Sequence, residues 1–312
     1  MKILVTGGAG YIGCVLVAEL LNLGFEVIVY DNLRFGGTGL LSFFRNPNFS
    51  LIKADIRDVI QIQKAISKAD VIIHLAAIVG HPACKKEPQL AAEINLEATK
   101  SLANMTTKEQ YVLYGSTCSN YGGVLDEICT EETLLNPISL YGMTKTEAEK
   151  IIMNECTATS YRFSTAFGLS PRLRLDLLVN DFVNKALIDK YLVVYESHFM
   201  RSFIHVYDIA RSFIFALENR DKMTNEIYNV GDGSMNLSKK GLCELIAKKV
   251  TFYLHLADFE KDADARNYIV SYAKINKLGY HTTIDLETGI IELLSGLQVI
   301  KVVNPYSNMG FI

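Results

Sequence analysis

The chain has 312 residues, of which 49% are hydrophobic and 21% charged, and a formal net charge of -3. That length exceeds one small core and suits a large unit with a smaller lobe, while the nearly balanced charge offers no basic surface for nucleic acid. No apolar run reaches the roughly 18 residues that a membrane span requires.

Lys2 to Thr6 is an apolar run suited to a buried parallel strand, and Ile12 to Leu23 carries apolar residues at helical spacing until Gly24 stops it. Between them lies TGGAGYIG, Thr6 to Gly13. Gly7 can take the tight turn, Gly10 lets backbone approach a pyrophosphate, and Gly13 lets helix pack on strand; the helix start supplies amide donors. Glu26 to Tyr30 reads as a second strand ending in Asp31, about 20 residues past Gly13, where a carboxylate accepts from adenosine ribose hydroxyls. Negative charge there favours NAD over NADP, although Arg34 is near enough in sequence to reach a phosphate.

Further along, Phe49 to Ala54 reads as a third strand, Ile60 to Ser67 as a helix, Val71 to Leu75 as a fourth strand, Leu90 to Met105 as a helix and Gln110 to Tyr114 as a fifth strand. This alternation predicts an α/β fold, a doubly wound parallel sheet of the Rossmann type. Ligands in such sheets bind beyond the carboxyl ends of the strands, which directs attention to Asp55 and Ile56, to Leu75, Ala76 and Ala77, and to Ser116 and Thr117. A helix from Ser139 to Asn154 carries Tyr141 and Lys145 one turn apart. After Gly168 the elements shorten, as expected of a C-terminal substrate-binding lobe. The expected division is a dinucleotide domain over 1–165 with returns near 203–229 and 285–297, and a lobe made of 166–202 and 230–284.

Six cysteines (Cys14, Cys84, Cys118, Cys129, Cys156, Cys243) are scattered, without a C-x-x-C pair or a nearby histidine at metal-ligand spacing. They read as reduced thiols of a cytoplasmic protein, with no metal site. The first strand begins at residue 2, so no signal peptide is expected. His74 and His205 sit in apolar strands and read as core histidines; His81 and Cys84 read as capping or loop-packing residues.

TGGAGYIG, the DNL at Asp31 to Leu33, ADIRD at Ala54 to Asp58, HLAA at His74 to Ala77, INLEAT at Ile94 to Thr99, GSTCSNYG at Gly115 to Gly122, PISLYGMTK at Pro137 to Lys145, RSFIHVYD at Arg201 to Asp208 and YNVGDG at Tyr228 to Gly233 follow one another in an order that resembles the extended short-chain dehydrogenase/reductases, the NAD-dependent nucleotide-sugar epimerase/dehydratase family. The stretches Ala76 to Cys84 and Arg162 to Phe182 look like the subgroup containing GDP-D-glycero-D-manno-heptose 4-dehydrogenases. This resemblance implies that Tyr141 takes the proton of a sugar 4-hydroxyl while hydride leaves C4 for nicotinamide. A tyrosine ordinarily titrates near 10, so the Lys145 ammonium would have to favour the phenolate. Thr117 matches the Ser or Thr that bonds the reacting hydroxyl.

The resemblance further implies cofactor contacts from Gly7, Gly10, Tyr11, Ile12, Gly13, Asp31, Asn32, Asp55, Ile56, Leu75, Ala76, Ala77, Asn95, Tyr141 and Lys145. Substrate contacts would come from Thr117, Arg172, Asn180, Arg201 and Arg266, with arginine forks on the diphosphate. Arg172 and Arg174 stay open between a phosphate contact, a contact to the sugar and a solvated surface position. Cys118 and Ser119 stand where the 4,6-dehydratases carry Asp-Glu, so dehydration is not expected. Cys118 lies one place early for the thiol of the 3,5-epimerases. A 4-dehydrogenase and a 4-epimerase both remain, and a dinucleotide sensor would ordinarily lack Tyr141 or Lys145. The family pattern also implies a two-fold homodimer through the helices at 90–105 and 139–154.

Overall fold

The structure is a computed structural model that describes residues 1–123, 128–257 and 267–300. Five strands open the chain: β1 (Lys2–Thr6), β2 (Glu26–Asp31), β3 (Phe49–Lys53), β4 (Val71–His74) and β5 (Tyr111–Thr117). The strands Thr157–Phe163 and Glu226–Val230 complete a seven-stranded sheet. Its order is Glu226–Val230, Thr157–Phe163, β5, β4, β1, β2, β3, with every pairing parallel. The strand order reverses between β1 and β4, which opens a crevice beyond their carboxyl ends.

Both faces of this sheet are covered, so the inner strands β1, β2 and β4 carry near-continuous apolar runs rather than an alternating pattern. On one face α1 (Tyr11–Asn22) and the helix Val206–Glu218 pack through Leu16, Val17, Leu20, Ile209 and Phe213. On the other, α2 (Val59–Ile66) and the helices Ala98–Met105 and Leu140–Glu155 bury Ile62, Leu102, Ala148 and Ile152. The Asp58 carboxylate caps α2 by accepting from Gln61 N at 3.0 Å, and Ser139 Oγ caps Leu140–Glu155 by accepting from Gly142 N at 3.1 Å.

A third cluster, with Phe167, Val179, Phe182, Leu242, Ile246 and Ile290, fills the later lobe. Around it lie a three-stranded sheet of Thr165–Phe167, Met200–His205 and Asn236–Ser238 and a strand pair of Tyr191–Tyr195 with Tyr253–Ala257. The segment 285–297, expected as a return to the dinucleotide domain, forms the helix Leu286–Leu297, whose Leu286, Ile290, Leu293 and Leu297 join this third cluster instead. Its apolar stripe meets the Leu178–Ile188 helix rather than the large sheet.

Two element boundaries also differ. The fifth strand runs on to Thr117, because Gly115, Ser116 and Thr117 keep their pairing with Tyr161, Arg162 and Phe163. The helix expected over 90–105 is three pieces, Pro88–Ala92, a π-helical turn Glu93–Glu97, and Ala98–Met105.

Candidate active site

The crevice holds a cavity of about 280 Å3 lined from both lobes. Its floor is the glycine loop. Gly7 has φ +72°, and a Cβ there would lie 2.7 Å from Ala76 N, so only glycine lets β1 turn under the β4 loop. A Cβ on Gly13 would overlap the carbonyl oxygen of Gly7, and one on Gly10 would come within 3.1 Å of it. The bare backbone is therefore left open to a ligand at the start of α1, which fits the pyrophosphate of a dinucleotide.

Asp31 ends β2 at the rim. Its Oδ2 accepts from Ala9 N at 3.0 Å and its Oδ1 from Leu33 N at 2.8 Å. Burial raises its pKa, and the two amide donors and the nearby Arg172 charge oppose that rise. Two bonded amides leave the carboxylate with lone pairs for a ribose diol. These residues fit NAD.

Gly7, Gly10, Tyr11, Ile12, Gly13, Asp31, Asn32, Ile56, Leu75, Ala76, Ala77, Thr117, Tyr141, Lys145 and Arg172 all line the cavity, as the sequence motifs anticipate. Four others of the expected set do not. The Asp55 carboxylate turns to Arg57, 2.9 Å from its Nε, and that hydrogen bond holds it down at about 2. Asn180 is fully buried, accepting from Gly168 N at 3.0 Å and donating to Arg174 O at 2.9 Å. Arg201 is buried, donating to Met200 O at 3.0 Å beside Phe199. Asn95 is also buried: its Oδ1 accepts from Ile78 N at 2.7 Å and its Nδ2 donates to Ile78 O at 2.9 Å and Thr144 Oγ1 at 3.3 Å. Arg266 lies outside the described residues.

Lys145 is 3% exposed, with its ammonium 4.0 Å from the centre of the Tyr114 ring. Burial pushes its pKa down to about 7, against the upward pull of Glu149 one turn further along the helix. Glu149 is itself held 2.7 Å from the Arg162 guanidinium in a buried pair. Thr117 Oγ1 accepts from Ser119 N at 3.1 Å and donates to Ser119 Oγ at 3.0 Å. Rotating that O–H off Ser119 would aim it at a ligand.

Cys118 does not line the cavity; its thiol donates to Arg162 O at 3.1 Å, and burial raises its pKa. That placement removes it as a proton shuttle. His74 is a core residue in a buried relay. Ala76 N donates to Thr6 Oγ1 (3.3 Å), whose hydroxyl serves His74 Nδ1 (2.7 Å). His74 Nε2 lies 2.9 Å from Thr99 Oγ1, which donates onward to Asn95 O. Because the Thr99 hydrogen is committed to Asn95, the histidine must donate from Nε2 and accept at Nδ1, a neutral ring. Its burial, which pushes the pKa down to about 3, agrees.

Several lining residues were not among the expected ones: Phe35, Val79, Gly80, Ser164, Thr165, Ala166 and Tyr268. Ser164 to Ala166 follow the carboxyl end of Thr157–Phe163, so the strand-end rule applied one strand later would have found them. Tyr268 arrives from the far end of the chain, and no local pattern marks it.

With this geometry in view, comparison with known proteins gives a consistent result. Residues 3–231 match the NAD dependent epimerase/dehydratase family. A putative UDP-glucose 4-epimerase of Methanocaldococcus jannaschii is 28% identical over 308 residues, 95% of this chain and 98% of that protein. Among solved structures, a UDP-glucose 4-epimerase of Thermotoga maritima with UDP-glucose superposes with a TM-score of 0.84 at 25% identity, covering 96% of this chain and 99% of that one. A UDP-glucuronic acid 4-epimerase from Bacillus cereus, in complex with UDP-glucuronic acid and NAD, gives 0.84 and 25% over 96% and 99%.

Proposed function

The chain belongs to the NAD dependent epimerase/dehydratase family, and from that premise we propose that it oxidises C4 of a nucleotide-diphosphate sugar, with Tyr141 as the base and Lys145 and Thr117 beside it. It is an NAD-dependent enzyme of the nucleotide-sugar epimerase/dehydratase kind. What carries the C4 assignment is the composition of the cavity wall. Among the described residues that line it, Asp31 is the only carboxylate, and Asp31 sits at the adenosine end. Moving protons at C5 and C6, as dehydration requires, calls for further acids and bases near the sugar. Tyr141 with Lys145 suffices for one hydroxyl proton.

In the proposed mechanism the glycine-loop amides and Asp31 hold the cofactor, and bound NAD supplies the hydride acceptor. Thr117 donates to the oxygen of the sugar 4-hydroxyl once its O–H leaves Ser119. Tyr141, as the phenolate, removes the hydroxyl proton as the C4–H bond breaks. The Lys145 ammonium stabilises that phenolate, and the Arg162–Glu149 pair ties the same buried face of the helix to the strand Thr157–Phe163. The apolar wall of Leu75, Ile78 and Phe163 excludes water, which strengthens each charge interaction within.

For the net reaction we favour release of the 4-keto sugar, a GDP-heptose-like 4-dehydrogenase, on the strength of the Ala76 to Cys84 and Arg162 to Phe182 stretches. The second reading is a UDP-hexose-type 4-epimerase, favoured by the named activities of the relatives above. A cytoplasmic setting fits six buried free cysteines, and no described helix is long and apolar enough to cross a membrane. A two-fold homodimer through the helices at 88–105 and 140–155 completes the proposal.

The test is incubation in D2O with GDP-, UDP-, dTDP- and CDP-sugars, following 340 nm absorbance and the sugar by NMR. A 4-keto product with matching absorbance growth identifies a dehydrogenase; C4 inversion without deuterium or net NADH identifies an epimerase. Turnover in either case should fall about 100-fold or more in Tyr141→Phe, the scale of general-base loss. A variant that keeps full activity would overturn the assignment of the base.

A further inference from the structure

Arg172 reaches the crevice from the later lobe. It belongs to residues 168–177, which leave the Thr165–Phe167 strand of the later lobe and cross to the first βαβ unit. Two hydrogen bonds anchor this strap to the first residue of α1: the Tyr11 hydroxyl donates to Gly168 O, and the Ser170 hydroxyl donates to Tyr11 O, both at 2.7 Å. Asn180 fixes its two ends from beneath, accepting from Gly168 N and donating to Arg174 O. Pro171 sits against Gly39, where an added Cβ would come 3.1 Å from the proline Cβ and would strike the Cys14 sulfur.

The guanidinium of Arg172 then lies 4.2 Å from the centre of the Phe35 ring, and the residue is 7% exposed. Phe35 follows Asp31 by four positions; Phe35, Arg172 and Asp31 all line the crevice, and the Arg172 charge is close enough to act on the Asp31 carboxyl. Asn180 and the carbonyl of Leu173, to which Arg172 donates at 3.3 Å, belong to the later lobe, whereas Tyr11, Cys14, Phe35 and Gly39 come from the part of the chain that would cradle the dinucleotide. Thr117 and Tyr141 are not among them.

We propose that Arg172 is a cofactor-positioning residue, carried by the later lobe onto the adenosine half of the dinucleotide beside Asp31. A carboxylate and a guanidinium side by side are complementary to a ribose and its phosphate: Asp31 accepts from hydroxyls, while Arg172 donates to oxygens that have no hydrogen to give. Stacking on Phe35 holds the planar fork in place, so little side-chain entropy remains to be lost on binding. The arrangement also joins the lobes, because cofactor affinity depends on a residue that the substrate lobe supplies.

The test measures NAD binding without any sugar, so its failure is separate from failure of the C4 reading. Full-length protein is freed of nucleotide and titrated with NAD by calorimetry. The nucleotide retained through gel filtration is released by denaturing the protein and read at 260 nm after the protein is removed. Arg172→Leu should raise the NAD dissociation constant about 10-fold, the scale of one charge-assisted contact, with Arg172→Lys recovering part of it. At saturating NAD the KM for the nucleotide-sugar should stay within about twofold, since such a change is under 0.5 kcal/mol. Unchanged NAD affinity with a raised sugar-nucleotide KM would overturn the proposal and return Arg172 to the substrate. If Arg172→Leu fails to fold, Phe35→Leu leaves the Tyr11 and Ser170 anchors intact and should weaken NAD binding severalfold. Unchanged affinity in that variant overturns the proposal equally.

Discussion

Lys145 stands where helix geometry and catalysis ask opposite things of one group. The proposed catalysis calls for an ammonium beside Tyr141, yet burial under Tyr114 pushes the amine down to about 7. The folding equilibrium registers that conflict. An unfolded lysine holds its proton up to about 10.4, so between pH 7 and that value the unfolded chain binds more protons than the folded one, and stability rises with pH. Above roughly 8.5 the buried thiols oppose it, because burial raises Cys14 and Cys84 above the ordinary thiol range. From pH 7 to 8.5 the protein should therefore gain about 2 kcal/mol against urea, at 1.36 kcal/mol per pKa unit. Lys145→Met should flatten that slope. A slope that persists in the variant would mean that another group carries it. The Glu149 carboxylate pulls the other way and favours the ammonium.

At the scale of elements, the π-helical turn Glu93–Glu97 shows what the sequence could and could not convey. Apolar spacing over 90–105 predicts a helix, and a helix is there. Nothing in a 3.6-residue period announces an i to i+5 bond, and the wider turn is visible only through its result. It carries Asn95, whose amide pairs with both backbone groups of Ile78 and with Thr144. Asn95 thus ties the cavity loop after β4 to the helix of Tyr141, a bracing role that the INLEAT motif did not announce. Asn95→Ala leaves Ile78 N without its acceptor and should lower stability by about 2 kcal/mol, measured as a lower urea midpoint at constant m-value. A loss below about 0.5 kcal/mol, the surface-substitution range, would show that the brace is dispensable. The glycine loop and Asp31 were legible because close backbone approach admits only glycine and because the strand end fixes the acid. The burial of Asn180, the seat of Arg172 against Phe35 and the arrival of Tyr268 were not, since they follow from how the two lobes meet, and no local pattern encodes that meeting.

At the scale of the whole molecule, the helices at 88–105 and 140–155 present one face to the sheet and another outward. The outward face holds Met143, 48% exposed, with Glu147 and Lys150 on one helix and Glu97 and Lys100 on the other. The inner face is committed: Ala148 and Ile152 pack on the sheet, and Lys145 lines the cavity. An isologous contact pairs each helix with its own copy or with the other helix of the partner, so a patch with equal numbers of acids and bases around an apolar centre can complement itself. Dimerisation there would press on the outer side of the helix whose inner side bears Tyr141 and Lys145, and would restrain it. Sedimentation equilibrium at micromolar concentration should accordingly give twice the chain mass. Reversing Lys100 and Lys150 together to glutamate should loosen the dimer and leave the fold intact, because the patch then carries four acids and no bases. A wild-type chain that sediments as a monomer would remove this assembly from the proposal, and the helix of Tyr141 would then be held within its own chain, by Asn95, Thr144, the Arg162–Glu149 pair and the packing of Ala148 and Ile152 on the sheet.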